Sequence, residues 1–323
     1  MSWKRRSTLD SAVIAAVALV VAATPSPAQQ PACGFHRVFV RPDEDGLGKI
    51  WVYEGAPSSA IGGAKPLAFV SPLKVNTDGT RISYKVDDPR AANGAINDIR
   101  YAFNDPSRPI SDFEAIARAN WLPVAQVWRV LSPDIIERDK RPGKEGRPCI
   151  DADNYLVSMT ADSSVAGGGN REGDCDQTKW IDALTVPAIV LPTPTRRRPS
   201  EFDQRGALTR SVAVAMTLAG PRRLALGIVG DLGPEDRLGE ASVAMNRILN
   251  GLASSDNPRS GADADERFQA ETSLVFVLPG EDNRLPYPVT GARAGAFAKA
   301  RFDAWGGESR LQACLAEIVE ARK

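Results

Sequence analysis

Short apolar runs punctuated by turn residues set the pattern of the chain. Runs at 37–40, 49–53, 67–70 and 81–86 are rich in Val, Ile, Phe and Tyr, and Gly, Pro, Asn and Asp separate them. That pattern predicts β-strands joined by turns. Further strands are predicted at 155–159, 188–191, 211–218, 224–229 and 273–278, and the pair flanking Gly220-Pro221 reads as a hairpin. Asn76-Thr77-Asp78-Gly79 is a turn signal between two such runs. Helical spacing is sparser. It begins with a capped start at Ser111-Asp112 followed by Phe113, Ile116 and Ala117. It recurs in Ala241, Ala244, Met245, Ile248, Leu249 and Leu252 after Gly239, and in an amphipathic stretch at 308–321. There is no βαβ alternation and no internal repeat. The fold expected is α+β, with a β-rich core that is barrel-like or a strongly twisted sheet, and a few peripheral helices.

Composition narrows the class without naming a function. The 323 residues are 43% apolar and 25% charged, which excludes collagen, coiled coil and wholesale disorder. Forty basic residues balance forty acidic ones, which argues against a nucleic-acid partner. The first residues carry Lys4, Arg5 and Arg6, then an apolar stretch from Ala12 to Ala23, then Ser26-Pro27-Ala28. That layout predicts a signal peptide over 1–28 and an exported single domain over 29–323, secreted or periplasmic. A stretch of that length is too short for an anchor, so no membrane span is expected.

Export changes how the cysteines are read. Cys33, Cys149, Cys175 and Cys314 have no CxxC spacing, and His36 is the one histidine, so a zinc site is not expected. In an oxidising compartment four cysteines suggest two disulfides, with three connectivities open. Cys149 and Cys175 flank a polar loop and suit a pair. Cys314 lies on an apolar helix face with Leu311, Leu315 and Ile318 and also reads as a buried thiol. Three surface loops are expected: 140–148, 163–175 with a glycine triplet that lacks a phosphate-loop ending, and 191–200 with the Arg196-Arg197-Arg198 run.

The stretch that carries chemistry is 224–242. An apolar strand ends in Gly230-Asp231, a Gly/Pro loop follows, and Gly239-Glu240 opens a helix. Two carboxyl groups held on regular elements are what glycoside hydrolysis needs: one to protonate the leaving oxygen, one on the other side of the sugar. A separation of roughly 6.5–9.5 Å leaves room for water and inverts, whereas about 5 Å retains. A helix N-terminus would lower the Glu240 pKa, and a general acid needs it raised. The simpler reading has Asp231 capping a turn and Glu240 complementing a helix dipole.

The same stretch resembles the core motif of glycoside hydrolase family 75, the fungal-type chitosanases, in which a strand ending in Gly-Asp is followed by a loop and Gly-Glu-Ala-Ser. Here the motif reads Gly230-Asp231 and Gly239-Glu240-Ala241-Ser242. Val75-Asn76-Thr77-Asp78-Gly79 is similar to the family's Val-Asp-Thr-Asp-Gly. The segment from Trp180 through Asp182 to Pro192 is similar to its Tyr-Val-Asp-Ala-x-x-Ile-Pro-Tyr-Val-Val-Leu-Pro. The segments fall in family order over about residues 67–252. The resemblance implies an inverting, endo-acting hydrolase of β-1,4-linked amino-sugar polymer that needs no cofactor. It places catalysis on Asp231 and Glu240, with Glu240 the acid and Asp231 the base. The polysaccharide or oligosaccharide is the only partner expected, and the protein is expected to be a monomer.

Other residues fill out the expected site. Asp78 and Asp182 suit the ammonium groups of an amino sugar, and each reads equally well as a turn residue. Trp51, Tyr84, Tyr101, Trp180 and Trp305 are candidates to stack on sugar rings, of which Tyr84 and Trp180 lie inside the resembling segments. Asp151/Asp153 and Asp174/Asp176 read as solvated loop acids. Ser83-Tyr84-Lys85-Val86 keeps the Tyr of the family's Ala-Tyr-His-Pro segment and loses its His, and the Arg run would repel a polycation. Two alternatives therefore stay open: a non-catalytic glycan-binding or envelope protein on the same scaffold, and a hydrolase of another cell-wall glycan.

Overall fold

The computed structural model of the protein describes residues 33–159, 161–167, 173–194, 198–233 and 237–320. The expected signal peptide, Arg196, Arg197, Gly168 and Gly169 lie outside the described residues. The strands are β1 (His36–Pro42), β2 (Lys49–Glu54), β3 (Leu67–Asn76), β4 (Tyr84–Lys85), β5 (Tyr155–Leu156), β6 (Ala188–Pro192), β7 (Val212–Thr217), β8 (Leu224–Gly233), β9 (Glu240–Ser242) and β10 (Ala270–Leu278). The helices are α1 (Ile110–Arg118), α2 (Val124–Val130), α3 (Val243–Asn250), α4 (Gly261–Arg267), α5 (Gly291–Trp305) and α6 (Gly307–Glu320).

Six strands pair in the order β3-β10-β7-β8-β6-β9, and β9 pairs back onto β3, which closes a barrel. Strands β1 and β2 extend the sheet from β3, while β4 and β5 form a separate ribbon. The ring strands are buried on both faces, which explains why they read as nearly continuous apolar runs. Alternate residues such as Phe69, Ile189, Leu191, Ala213, Ala215, Val229 and Val275 fill the interior. Their neighbours Val70, Val214, Met216, Leu274 and Phe276 face outward and pack under Phe302, Trp305, Leu311 and Ile318 of α5 and α6. Ala213 and Ala215 of β7 and Ala225 of β8 are among the small members of that interior. A third cluster, including Phe103, Phe113, Ile116, Trp121 and Val127, gives the 84–156 insertion its own core around α1 and α2.

The α+β, β-rich barrel expectation is met, and the β7–β8 hairpin is antiparallel with Met216 opposite Leu224. Other details differ. The turn at 76–79 closes no hairpin, because β3 pairs with β2, β10 and β9 rather than with the run after it. Helix α1 starts after Pro109 and not at Ser111. Helix α5 was not visible in the pattern, since its alanines and arginines give a weak apolar stripe: only Ala294, Ala298, Phe302 and Trp305 are buried. Among the described residues no helix is long and apolar enough to cross a membrane.

Both disulfides form. Cys149 bonds Cys175, and Cys314 bonds Cys33 rather than standing as a buried thiol, with Cα atoms 5.0 and 5.5 Å apart. The second ties the start of the described chain to α6, where the Glu317 carboxylate also accepts the Cys33 and Phe35 amide hydrogens at 3.1 and 3.0 Å.

Candidate active site

The Asp231 side chain is aimed by a bulge. In the parallel pair β6–β8, Ile189 lies opposite Val229, and the next residue Val190 lies opposite Asp231, so Gly230 is an extra residue in β8. Side chains alternate faces along a strand, so a regular β8 would turn Asp231 inward with Val229. The bulge shifts the phase and puts it on the outer face beside Val190. Only glycine fits the extra position, because a Cβ there would stand 2.5 Å from Ala188 Cβ.

Glu240 reaches the same face from β9. That strand runs parallel to β3, with Lys74 opposite Glu240 and Asn76 opposite Ser242. Ala241 points into the barrel, which turns Glu240 and Ser242 outward. This corrects the expectation that Glu240 lies in the first turn of a helix. The helix starts at Val243 and Ser242 caps it, its Oγ accepting the Met245 amide hydrogen at 3.1 Å. The same hydroxyl donates to the Val186 carbonyl and accepts the Ala188 amide hydrogen, which stitches α3 to β6. Glu240 thus stands outside the helix and is spared most of the charge-stabilising effect of its dipole.

Asn76 joins the two carboxyl groups. Its Nδ2 donates to Asp231 Oδ2 at 3.2 Å and to Glu240 Oε2 at 3.5 Å. Its Oδ1 accepts the Asp78 amide hydrogen at 2.7 Å, which fixes which end of the amide faces the acids. Together the two contacts hold those carboxyl oxygens within about 6.7 Å of each other. That ceiling admits the short edge of the inverting window and the closer retaining spacing of about 5 Å. The signal for it in the sequence is a departure: Asn76 stands where the resembling family segment has Asp. With three acids nearby, a neutral donor satisfies two of them where another carboxylate would repel both.

Asp231 faces a small recess and not an open groove. It is 7% exposed, and Asn76, Asp78, Ile181, Ala188 and Val190 line the recess with it. Glu240 is partly exposed. Burial, then the Asp78 charge, pushes the Asp231 carboxyl well above its ordinary range, against the Leu232 amide hydrogen at 2.7 Å and Asn76, which favour the anion. Burial, then Glu44 and Asp78, pushes Glu240 up to about 8.

The remaining expected residues divide. Asp78 belongs to the cluster, and its Oδ1 accepts from Asn97 Nδ2 at 3.2 Å and from the Tyr84 hydroxyl at 3.5 Å. The Tyr84 ring is buried, so the residue steadies Asp78 instead of stacking on a sugar. Trp180 is a correction of the same kind: it is buried with Val157 and Met159 beside the Cys149–Cys175 disulfide. Asp182 builds a turn, accepting the Leu184 amide hydrogen at 3.0 Å and the Thr185 hydroxyl at 3.1 Å, and burial raises its pKa. Trp305 is core, Tyr101 is exposed, and Trp51 lies under the Arg37 guanidinium at 4.8 Å. Arg198, the one described member of its run, is exposed. Among the described residues the only acid–thiol group close enough to share a metal ion is Asp139 with Cys149 and Cys175, and those two sulfurs are bonded to each other.

No protein-family model matches the chain, and no curated protein matches it.

Proposed function

We propose that the protein is a glycoside hydrolase acting on β-1,4-linked amino-sugar polymer, with Glu240 as general acid and Asp231 as general base. The observation that carries the reading is one amide, Asn76, holding two outward-facing carboxyls from different strands within about 6.7 Å. Glu240, pushed up to about 8, keeps its proton at neutral pH, as a general acid must. Burial and the charges of Asp78 and Glu240 hold the Asp231 carboxyl up, and the N–H groups of Leu232 and Asn76 favour the anion that a base needs. In the step, Glu240 gives its proton to the glycosidic oxygen as the C–O bond breaks. Asp231 takes a proton from the water whose oxygen bonds the anomeric carbon, and solvent then restores both groups. Asp78 adds a negative charge that suits an ammonium-bearing sugar.

The test is a panel of chitosan, chitin, glucan and peptidoglycan with reducing ends measured, and with the product anomer followed by NMR on any substrate cleaved. Cleavage of the amino-sugar polymer with inversion is expected. Asp231→Asn and Glu240→Gln should each lower turnover about 10²–10⁴-fold. Full turnover in both variants overturns the assignment.

One observation favours a second reading. The burial of Asp231 in a small recess suits a hydrogen-bonded acid cluster that braces β3, β8 and β9 in a glycan-binding protein without catalysis. Retention of oligosaccharides on a column of the protein, with no reducing ends released, would support it.

A further inference from the structure

One edge of β8 changes partner at the bulge, and a buried ion pair spans the change. Up to the bulge that edge belongs to β7. Val212 lies opposite Ile228, the Val229 amide hydrogen donates to the Ser211 carbonyl at 2.8 Å, and the Arg210 amide hydrogen donates to the Val229 carbonyl at 2.6 Å. From the bulge on, the edge belongs to the segment 161–162. The Asp162 amide hydrogen donates to the Gly230 carbonyl at 3.1 Å, and Ala161 forms an antiparallel bridge with Asp231. Strand β6 keeps the opposite edge as far as Gly233. The hand-over therefore falls at residues 229–230, just before the side chain that the bulge aims.

The side chains at this joint face each other. Arg210 Nε stands 3.9 Å from Asp162 Oδ2. Both atoms are shut off from solvent and neither makes a hydrogen bond among the described residues, so the opposite charge across the joint offsets the burial of each. The guanidinium is fixed from two further sides. Its Nη1 donates to the Leu285 carbonyl at 2.6 Å, and its Cζ lies 4.0 Å from the centre of the Tyr287 ring, within cation–π range. Arg210 has φ +68°, a backbone conformation that glycine adopts freely and side-chain-bearing residues rarely do. An arginine kept there against its backbone preference points to work done by the side chain.

We propose that Arg210 and Asp162 are positioning residues of this site: their ion pair clamps the joint between β7 and the segment 161–162, and so fixes the angle at which Asp231 leaves β8. Neither residue lines the recess, so both act through the backbone. The lever is short. Asp162 grips Gly230 through its amide, and its own carbonyl accepts the Ile181 amide hydrogen at 2.9 Å. Without the clamp, the segment 161–162 is free to withdraw from β8, and the extra residue at Gly230 loses the partner that holds it in place. Asp231 then departs from the angle at which its Oδ1 accepts the Leu232 amide hydrogen at 2.7 Å and its Oδ2 accepts from Asn76 at 3.2 Å. The catalytic meaning of the clamp rests on the function proposed above, whereas the placement of Asp231 does not.

The Leu232 amide reports the placement without any substrate, because its proton resonance depends on the hydrogen bond to Asp231. Asp231→Ala removes that bond and marks where the unbonded amide resonates in a ¹H–¹⁵N spectrum. Asp162→Asn keeps the shape and removes the charge, and should move the Leu232 resonance toward that mark. Exchange of the residue 162 amide hydrogen should quicken about ten-fold or more as its bond to Gly230 loosens. Arg210→Gly relieves the backbone and removes the clamp, and should move the resonance in the same way; were Arg210 there only for the turn, glycine would leave it in place. Arg210→Lys keeps the charge and should move it less. Circular dichroism confirms that each variant is folded, and Arg210→Lys decides alone if the other two are not. On a cleaved substrate, kcat should fall about ten-fold or more with KM little changed, since neither residue touches the sugar. An unmoved Leu232 resonance in a folded Asp162→Asn or Arg210→Gly, or an unchanged kcat, overturns the proposal. A moved resonance with no glycan cleaved by the unmodified protein overturns the proposed function and leaves the placement of Asp231 standing.

Discussion

Glu240→Gln should make the protein more stable in base, and the size of the gain follows from the site. Glu240 titrates near 4.5 without the fold and is pushed up to about 8 within it. Between those pH values the folded chain holds a proton that the unfolded chain has lost. Stability then falls as pH rises, since the slope follows protons bound unfolded minus protons bound folded. The penalty is absent below about 4.5 and complete above about 8. Each pH unit of that interval costs about 1.4 kcal/mol, so the full effect is roughly 4–5 kcal/mol. A domain's net stability is only about 5–15 kcal/mol, so the effect should be plain. Glutamine keeps a group at Asn76 and carries no charge. Urea denaturation at pH 4.5, 6.5 and 8.5 should therefore show wild type and variant nearly equal in acid and the variant gaining by several kcal/mol in base. Asp231 and Glu44 stay in both proteins, so the difference isolates Glu240 and its share in raising Asp231. Parallel stability curves for the two proteins would refute the burial argument and, with it, the claim that Glu240 is held protonated.

Asn76→Asp should destabilise the fold by roughly 2–4 kcal/mol at pH 8 and far less at pH 4.5, because it replaces two donated hydrogen bonds with a further negative charge; a loss that does not vary with pH would contradict this. Gly230→Ala should cost about 1–3 kcal/mol in urea denaturation, because the new methyl meets Ala188 Cβ at 2.5 Å; an unchanged midpoint would mean the bulge does not need glycine. Removing the Cys33–Cys314 disulfide by double Cys→Ala replacement should cost about 2–5 kcal/mol, with the Glu317 contacts retaining part of the clasp; this is read as a fall in Tm, and an unchanged Tm would count against it.

The local pattern determined much of this molecule. The β-branched runs mark the strands β6, β7 and β10, and their lack of alternation is itself the mark of burial on both faces. The local pattern set Asp231 at a strand end and Glu240 after a short loop, and the family resemblance, not the spacing, made them the expected catalytic pair. The sequence could not show that β9 turns back onto β3, because three residues carry too little pattern to be seen and their pairing is set by barrel closure. Nor could it show which way Asp231 points, since a one-residue bulge reverses the face and exists only in register with β6. Asn76 reaches the carboxyl pair from far along the chain. Such contacts leave no periodic trace, because the distance that matters to a proton is measured through space and not along the backbone.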